Sequence, residues 1–295
     1  MDWFSPLQTK ALERVIDAFR DLPGLAALVL GGSQARGRAR PDSDIDIGLY
    51  YRDSARFEIE AVRARAARLN DAPRCVVTDF GEWGPWVDGG AWLVVERQKV
   101  DLLYRSLDKV EATLAEAQAG RFEIHFEQQP PFGFFGPTLL GEIAIARPLI
   151  DRDDVIAALK ARVSPMPQAL AQAVVQSRLW SVEFGLTAFA PKYAAAGNVF
   201  ALAGCLTRFG QALVLALFAL NGRYLLSEKT ALVEIDEFDK APRQFGARLN
   251  ALLATIGDAP APLSGAVNAV SDLFEETRSL AGSWYRPAWP LSAGA

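Results

Sequence analysis

The chain has 295 residues, 51% of them hydrophobic and 22% charged, with a formal net charge of −4. That composition is ordinary for a globular protein with room for one large or two moderate domains, and its acidic balance speaks against a broad polynucleotide-binding surface, which is normally basic. Two distant cysteines, Cys75 and Cys205, each in an apolar segment, predict buried free thiols in a reducing compartment and exclude a zinc site.

Ser5-Pro6 supplies an N-cap and a first-turn proline, so an amphipathic helix is expected to about Asp21, ended by Leu22-Pro23-Gly24. The opening MDWFSPLQTKALERV lacks the basic and apolar regions of a signal peptide, and a cytoplasmic location is expected. A strand over 25–30 runs into Gly31-Gly32-Ser33. A basic segment with Arg36, Arg38 and Arg40 follows, then Asp44-Ile45-Asp46-Ile47 at the head of a strand over 44–51. A helix over 55–69 and a strand over 74–80 come next. The glycines and proline of 81–90 mark a loop whose Trp83 and Trp86 either line a pocket or anchor the loop to the core. Segments 91–96 and 99–104 read as a hairpin turning near Arg97-Gln98, followed by a helix over 106–119 and a strand over 122–127.

From Thr138 onward the pattern is helical. Arg147-Pro148-Leu149-Ile150-Asp151 reads as a junction between a domain of residues 1–150 and one of residues 151–295. Helices are expected near 152–162, 166–188, 198–221, 240–256 and 263–282, with a loose tail after Trp289. The apolar run 199–220 is interrupted by Arg208 and Gln211, which favours a buried bundle helix over a membrane span. The expected fold class is therefore a mixed α/β domain followed by an all-α helical bundle.

Residues 28–47 carry the chemistry. In a strand, Asp44 and Asp46 would project to one face, with Cα atoms roughly 7 Å apart, while Ile45 and Ile47 face the core. Like charges so placed repel unless a cation sits between them. Mg²⁺ suits such a pair, because it takes one or two carboxylates and completes its shell with water and phosphate oxygens. Gly31 and Gly32 allow a sharp turn and close ligand approach, and Ser33 stands where a helix begins, its hydroxyl and the next N–H groups aimed at an anion. Neither GxxxxGK[ST] nor G-x-G-x-x-G is present at the turn. Asp101 interrupts an apolar strand, and a buried Asp needs a partner.

A hydrophobic residue, Gly32-Ser33, about a dozen residues and Asp44-Ile45-Asp46-Ile47, with Ala35-Arg36-Gly37 and Ser43 between, resembles the nucleotidyltransferase superfamily that shares its catalytic domain with DNA polymerase β. The resemblance implies a polymerase β-like fold and transfer of an NMP, with ATP the family's commonest donor, to an acceptor hydroxyl with release of pyrophosphate. It implies Asp44 and Asp46 as catalytic ligands of two Mg²⁺ ions, about 3.5–4 Å apart in two-metal sites generally. Asp101 would be the third carboxylate, as metal ligand or proton acceptor. Gly32, Ser33, Arg36 and Ser43 would belong to the nucleotide site.

Residues 217–224 followed by Ser227-Glu228-Lys229 are similar to a segment of aminoglycoside nucleotidyltransferases, bacterial members with a helical C-terminal domain. That likeness implies a bundle closing the acceptor and nucleotide cleft, with Lys229 reaching the phosphates. A surface lysine at a helix start is the plainer reading. Glu234 to Asp239 is either an acidic wall for a polycationic acceptor or a solvated acidic turn or helix start. His125, flanked by Ile124 and Phe126, is expected to be structural. A small hydroxylated molecule, an antibiotic or metabolite, leads as acceptor, and no membrane partner is expected. Transfer to a protein or tRNA end, and a nucleotide-binding regulatory or toxin–antitoxin-type module with little transfer activity, stay open. Oligomeric state is not readable.

Overall fold

The structure, a computed structural model, describes residues 4–40, 43–129 and 131–287. The tail after Trp289 lies outside the described residues. The chain divides into two compact units, one of residues 1–115, 124–129 and 133–165, the other of residues 116–123, 130–132 and 166–295.

In the first unit, α1 (Pro6–Phe19) starts where the sequence places it. Ser5 Oγ accepts from Gln8 N–H while the Gln8 side chain accepts from Ser5 N–H, a reciprocal cap. Then come β1 (Ala27–Leu30), the single-turn α2 (Gly32–Ala35), β2 (Ile45–Tyr51), α3 (Ile59–Leu69), β3 (Val76–Val77), β4 (Gly90–Val95) and β5 (Gln98–Ser106). The helix α4 (Leu107–Gln118) precedes β6 (Ile124–His125), β7 (Phe134–Phe135), α5 (Thr138–Ile145), β8 (Arg147–Asp151) and α6 (Val155–Val163).

Six strands form one sheet in the order β3-β4-β5-β2-β1-β8. Only β2 and β5 run parallel; the other neighbours are antiparallel. The alternation is strict where it positions the site. Ile45, Ile47, Leu49, Ala91, Leu93, Val95, Val100, Leu102 and Tyr104 bury one face in a core shared with Leu12, Val15 and Phe19 of α1 and Val62 and Ala66 of α3. Asp46 and Asp101 therefore belong to the opposite face.

Several expectations need correction. The segment expected to join two domains is β8, an edge strand antiparallel to β1, and an edge is where a strand tolerates Pro148. The helix expected from residue 55 begins at Ile59, because Phe57 is buried in the core and the 56–57 backbone packs onto Gly24. The strand expected over 74–80 shortens to two residues at a sheet edge, after which Thr78 bonds Gly90 through backbone and hydroxyl. The strand expected over 122–127 shortens to β6, which pairs with β7 in a separate two-stranded ribbon. The hairpin turns on Glu96-Arg97, both at positive φ, giving the two-residue loop whose twist suits antiparallel strands.

The second unit holds α7 (Gln168–Ala188), α8 (Ala190–Ala195), α9 (Val199–Leu220), α10 (Glu228–Ile235), α11 (Phe245–Ala254) and α12 (Pro260–Ala281). Among the described residues α9 alone is long and apolar enough to cross a membrane, with mean hydropathy 1.6. Residues 212–220 of α9 are all buried, and the helix packs with α7, α8 and α12. A side chain at Gly185 of α7 would begin 2.3 Å from the Phe209 ring of α9, so the small residue sets how closely these helices approach. Arg248 of α11 makes a two-pronged ion pair with Glu276 of α12 at 2.7 and 3.0 Å. The short α8 was not expected, whereas α10 opens at Glu228, as the reading of Lys229 as a surface lysine at a helix start requires. Glu234 and Ile235 close α10 rather than opening a helix; Glu234 is buried and accepts from Thr230 Oγ1 at 2.5 Å. Cys75 and Cys205 are free but only half-buried.

Candidate active site

The site begins where β1 ends. Gly31 N–H donates to the Asp46 carbonyl at 2.9 Å, so β1–β2 pairing continues into the turn. Gly32 has φ +56°, and a Cβ there would lie 1.7 Å from Asp46 Oδ2. Only glycine satisfies both conditions. The Asp46 carboxylate thus rests directly on the backbone of the turn. Ser33 is the second residue of α2 rather than its cap; Gly31 holds the cap position, without a side-chain hydrogen bond. Arg36 ends α2 and is half-buried, while Arg38 and Arg40 are exposed. Ser43 Oγ accepts from Arg40 N–H at 2.9 Å, tying the basic loop to the approach of β2.

Asp46 and Asp101 are register partners in the parallel β2–β5 pair. Their side chains share a face, on strands about 4.8 Å apart. Both are partly exposed, whereas their neighbours Ile45, Ile47, Val100 and Leu102 are fully buried. Asp44 is half-buried and precedes β2, which starts at Ile45, so strand alternation does not fix its side chain beside Asp46. Among the described residues no three His, Cys, Asp or Glu side chains gather into a metal-holding group. The strand register therefore pairs Asp46 with Asp101, and Asp44 stands one residue before β2. Two adjacent carboxylates still fit a magnesium ion that arrives on a triphosphate, since such an ion needs only one or two from the protein.

The face beyond the pair is braced by a buried ion pair. Arg105 Nε and Nη2 donate to Glu142 at 2.6 and 2.8 Å, and Nη1 donates to the Tyr104 and Val87 carbonyls. Burial alone would lower the guanidinium pKa, but the Glu142 charge and hydrogen bonds hold it above the usual value. Tyr51 donates to Asp88, and burial first, then this bond, pushes the phenol pKa up. One contributor was not anticipated: Arg147 Nε donates to the Ala35 carbonyl at 2.7 Å, fastening α2 to β8. The only hint in the sequence was an arginine beside a proline, in a segment read as a linker.

Both tryptophans of the 81–90 loop are stacked. Trp86 lies on His125 with ring centroids 3.8 Å apart, so the histidine serves packing as expected, and Trp83 lies on Trp92 at 4.9 Å. Gln128 also ties the loop, donating to the Trp83 carbonyl and accepting from Trp86 N–H at 3.1 Å. Lys229 belongs to the second unit. It is exposed in the first turn of α10, its N–H donating to Ser227 Oγ at 3.2 Å.

A glycine turn seated on a strand carboxylate thus stands beside a second carboxylate on the parallel neighbour. Residues 12–82 match the family model for the nucleotidyltransferase domain, a match that supports a transferase of nucleotidyl groups. The match spans the turn, Asp44 and Asp46 but ends before Asp101, which the sheet register supplies. A solved structure of a nucleotidyltransferase-like protein from Exiguobacterium sibiricum is similar, with a TM-score of 0.45 and 10% identity over 95% of this chain and 78% of that one. No curated protein matches the sequence.

Proposed function

We propose that the protein moves an NMP from a nucleoside triphosphate, ATP in the first instance, to a hydroxyl of a small acceptor in a magnesium-dependent reaction. The observation that supports this most is the in-register Asp46–Asp101 pair with the Gly32 backbone pressed against Asp46. The turn holds the β- and γ-phosphates through its N–H groups and Ser33, with Arg36 offsetting charge. Asp46 and Asp101, with Asp44 at the mouth of the strand, would hold magnesium, which when bound neutralises phosphate charge and orients the triphosphate. The acceptor oxygen forms a bond to the α-phosphorus as the bond from that phosphorus to the bridging oxygen breaks. Pyrophosphate leaves with that electron pair, and the hydroxyl proton passes to the Asp101 side of the site. Rate comes from positioning and charge stabilisation rather than covalent catalysis.

The test is pyrophosphate release from Mg-ATP with a panel of aminoglycosides and other hydroxylated small molecules, wild type against Asp46→Asn. The variant is expected to fold normally and lose at least about 100-fold in turnover, the scale of losing one electrostatic stabiliser. Near-normal turnover in Asp46→Asn would remove the assignment.

A further inference from the structure

The row of residues that carries the carboxylates continues across the sheet. Gly31 N–H meets Asp46, Asp46 pairs with Asp101, Asp101 pairs with Trp92 of β4, and Trp92 pairs with Val76 of β3. Paired residues share a face, so the phosphate turn, two carboxylates and an indole stand in line, each about 4.8 Å from the next. Trp92, inside the row, is 51% exposed, unusual for a large apolar side chain so placed, and Val76, on the edge strand beside it, is 49% exposed. Trp92 is nevertheless held, because the Trp83 ring stacks against it with planes 26° apart. Room for Trp83 comes from Gly90, where a Cβ would lie 2.9 Å from the Trp83 ring. The result is a rigid aromatic platform with apolar surface left in solvent.

The order of the row gives this platform a role. In an in-line displacement the attacking oxygen approaches opposite the leaving group. Pyrophosphate leaves on the Gly32–Ser33 side of Asp46, and the far side is that of Asp101 and then Trp92. We infer that Trp92, backed by Trp83, binds the acceptor by stacking on a ring that bears the attacking hydroxyl, so the acceptor is a cyclic molecule with an apolar ring face rather than an acyclic alcohol. This rests on the nucleotidyl-transfer reading and adds the acceptor's shape to it. A ring lying on Trp92 has its substituents one strand spacing from Asp101, within reach of a carboxylate that orients a hydroxyl or receives its proton. Indoles present a flat, polarisable surface at little entropic cost, which suits saturated C–H faces and aromatic rings alike.

The experiment uses the full chain with Mg-ATP and four probes: kanamycin A for saturated rings, 4-nitrophenyl β-D-glucopyranoside for an aromatic ring, and glycerol and serine as acyclic alcohols. Pyrophosphate release gives the acceptor KM, and equilibrium dialysis gives Mg-ATP affinity separately. Wild type is expected to use at least one ring-bearing probe in preference to both acyclic ones. Trp92→Ala should raise that KM about 10–100-fold, the range of one stacking contact, with Mg-ATP affinity changed less than twofold. Trp92→Phe, which keeps an aromatic face and the packing on Trp83, should stay within about threefold of wild type. Equal loss of Mg-ATP affinity in Trp92→Ala would assign the platform to the nucleobase and overturn the inference. So would an unchanged KM, or release with the acyclic probes matching or exceeding that with the rings. Wild type that binds Mg-ATP through Asp46 but releases pyrophosphate with no probe also overturns it. A wild type that binds no Mg-ATP instead overturns the underlying nucleotidyl-transfer reading.

Discussion

Three glycine-to-alanine substitutions separate backbone strain from displacement of the Asp46 carboxylate. At Gly31 a Cβ would lie 3.8 Å from the Asp46 carbonyl oxygen, an ordinary contact, and φ is negative. At Gly37 φ is +67° but no heavy atom lies within 4 Å of the added carbon. At Gly32 φ is +56° and the added carbon would overlap Asp46 Oδ2 at 1.7 Å. Alanine in the left-handed region costs about 1–2 kcal/mol, so Gly37→Ala and Gly32→Ala should each lose that much stability. One kcal/mol is worth about 2–4 °C in midpoint for a domain of 150–250 residues. Only Gly32→Ala must also swing the carboxylate away. A misplacement of about 1 Å can cost roughly 100-fold in rate, so its pyrophosphate release should fall by that factor or more, whereas Gly31→Ala and Gly37→Ala should keep activity within a few-fold. Thermal unfolding and pyrophosphate release on the same preparations make the comparison. If Gly32→Ala and Gly37→Ala are equally active, the turn does not position Asp46, and this account of the site fails.

Other outcomes follow from separate features. Glu142→Gln leaves the Arg105 guanidinium buried without its charged partner and should cost about 3–5 kcal/mol, read from urea unfolding; a loss under 1 kcal/mol would show that the two carbonyl acceptors suffice. Arg97 holds φ +63° in an exposed hairpin turn, so Arg97→Gly should raise stability by up to about 1 kcal/mol with activity unchanged, and a destabilised variant would contradict the turn geometry. The hydrogen bonds and charge of Arg248 lower the Glu276 pKa from its ordinary 4.5. The resulting stability is present above that value and lost as pH falls through the lowered one. Both groups are well exposed, so the effect is at most about 0.5 kcal/mol. Glu276→Gln should therefore flatten the acid limb of the stability profile by no more than this, and a larger change would mean the pair is less screened than its exposure indicates.

Legibility in the sequence tracked how local each signal was. The α1 cap, the phosphate turn and the alternation in β2 depend on neighbouring residues, and each stands within a few positions of where the pattern puts it. The Asp46–Asp101 pairing is non-local, but an acidic residue inside an apolar strand pointed to it. What escaped was set by tertiary partners. Arg147–Asp151 looks like a linker because it contains proline and charges, and becomes a strand only because β1 offers it a free edge. The shortening of the 74–80 and 122–127 strands likewise reflects which edges were available. Trp92 carried no local mark at all, since an aromatic in a strand normally signals core, and only the register with Asp101 reveals the side it occupies.

The lone parallel pairing in the sheet has a consequence for how the molecule is made. Residues 45–51 leave the ribosome long before residues 98–106, and until the later segment arrives β2 has one bare edge. A nascent or truncated chain ending near residue 82 would hold the whole phosphate turn yet lack half of its carboxylate pair. It would instead offer the unpaired edge of a largely apolar strand to any passing strand. Competence for chemistry and protection from aggregation should thus arrive together, when β5 docks.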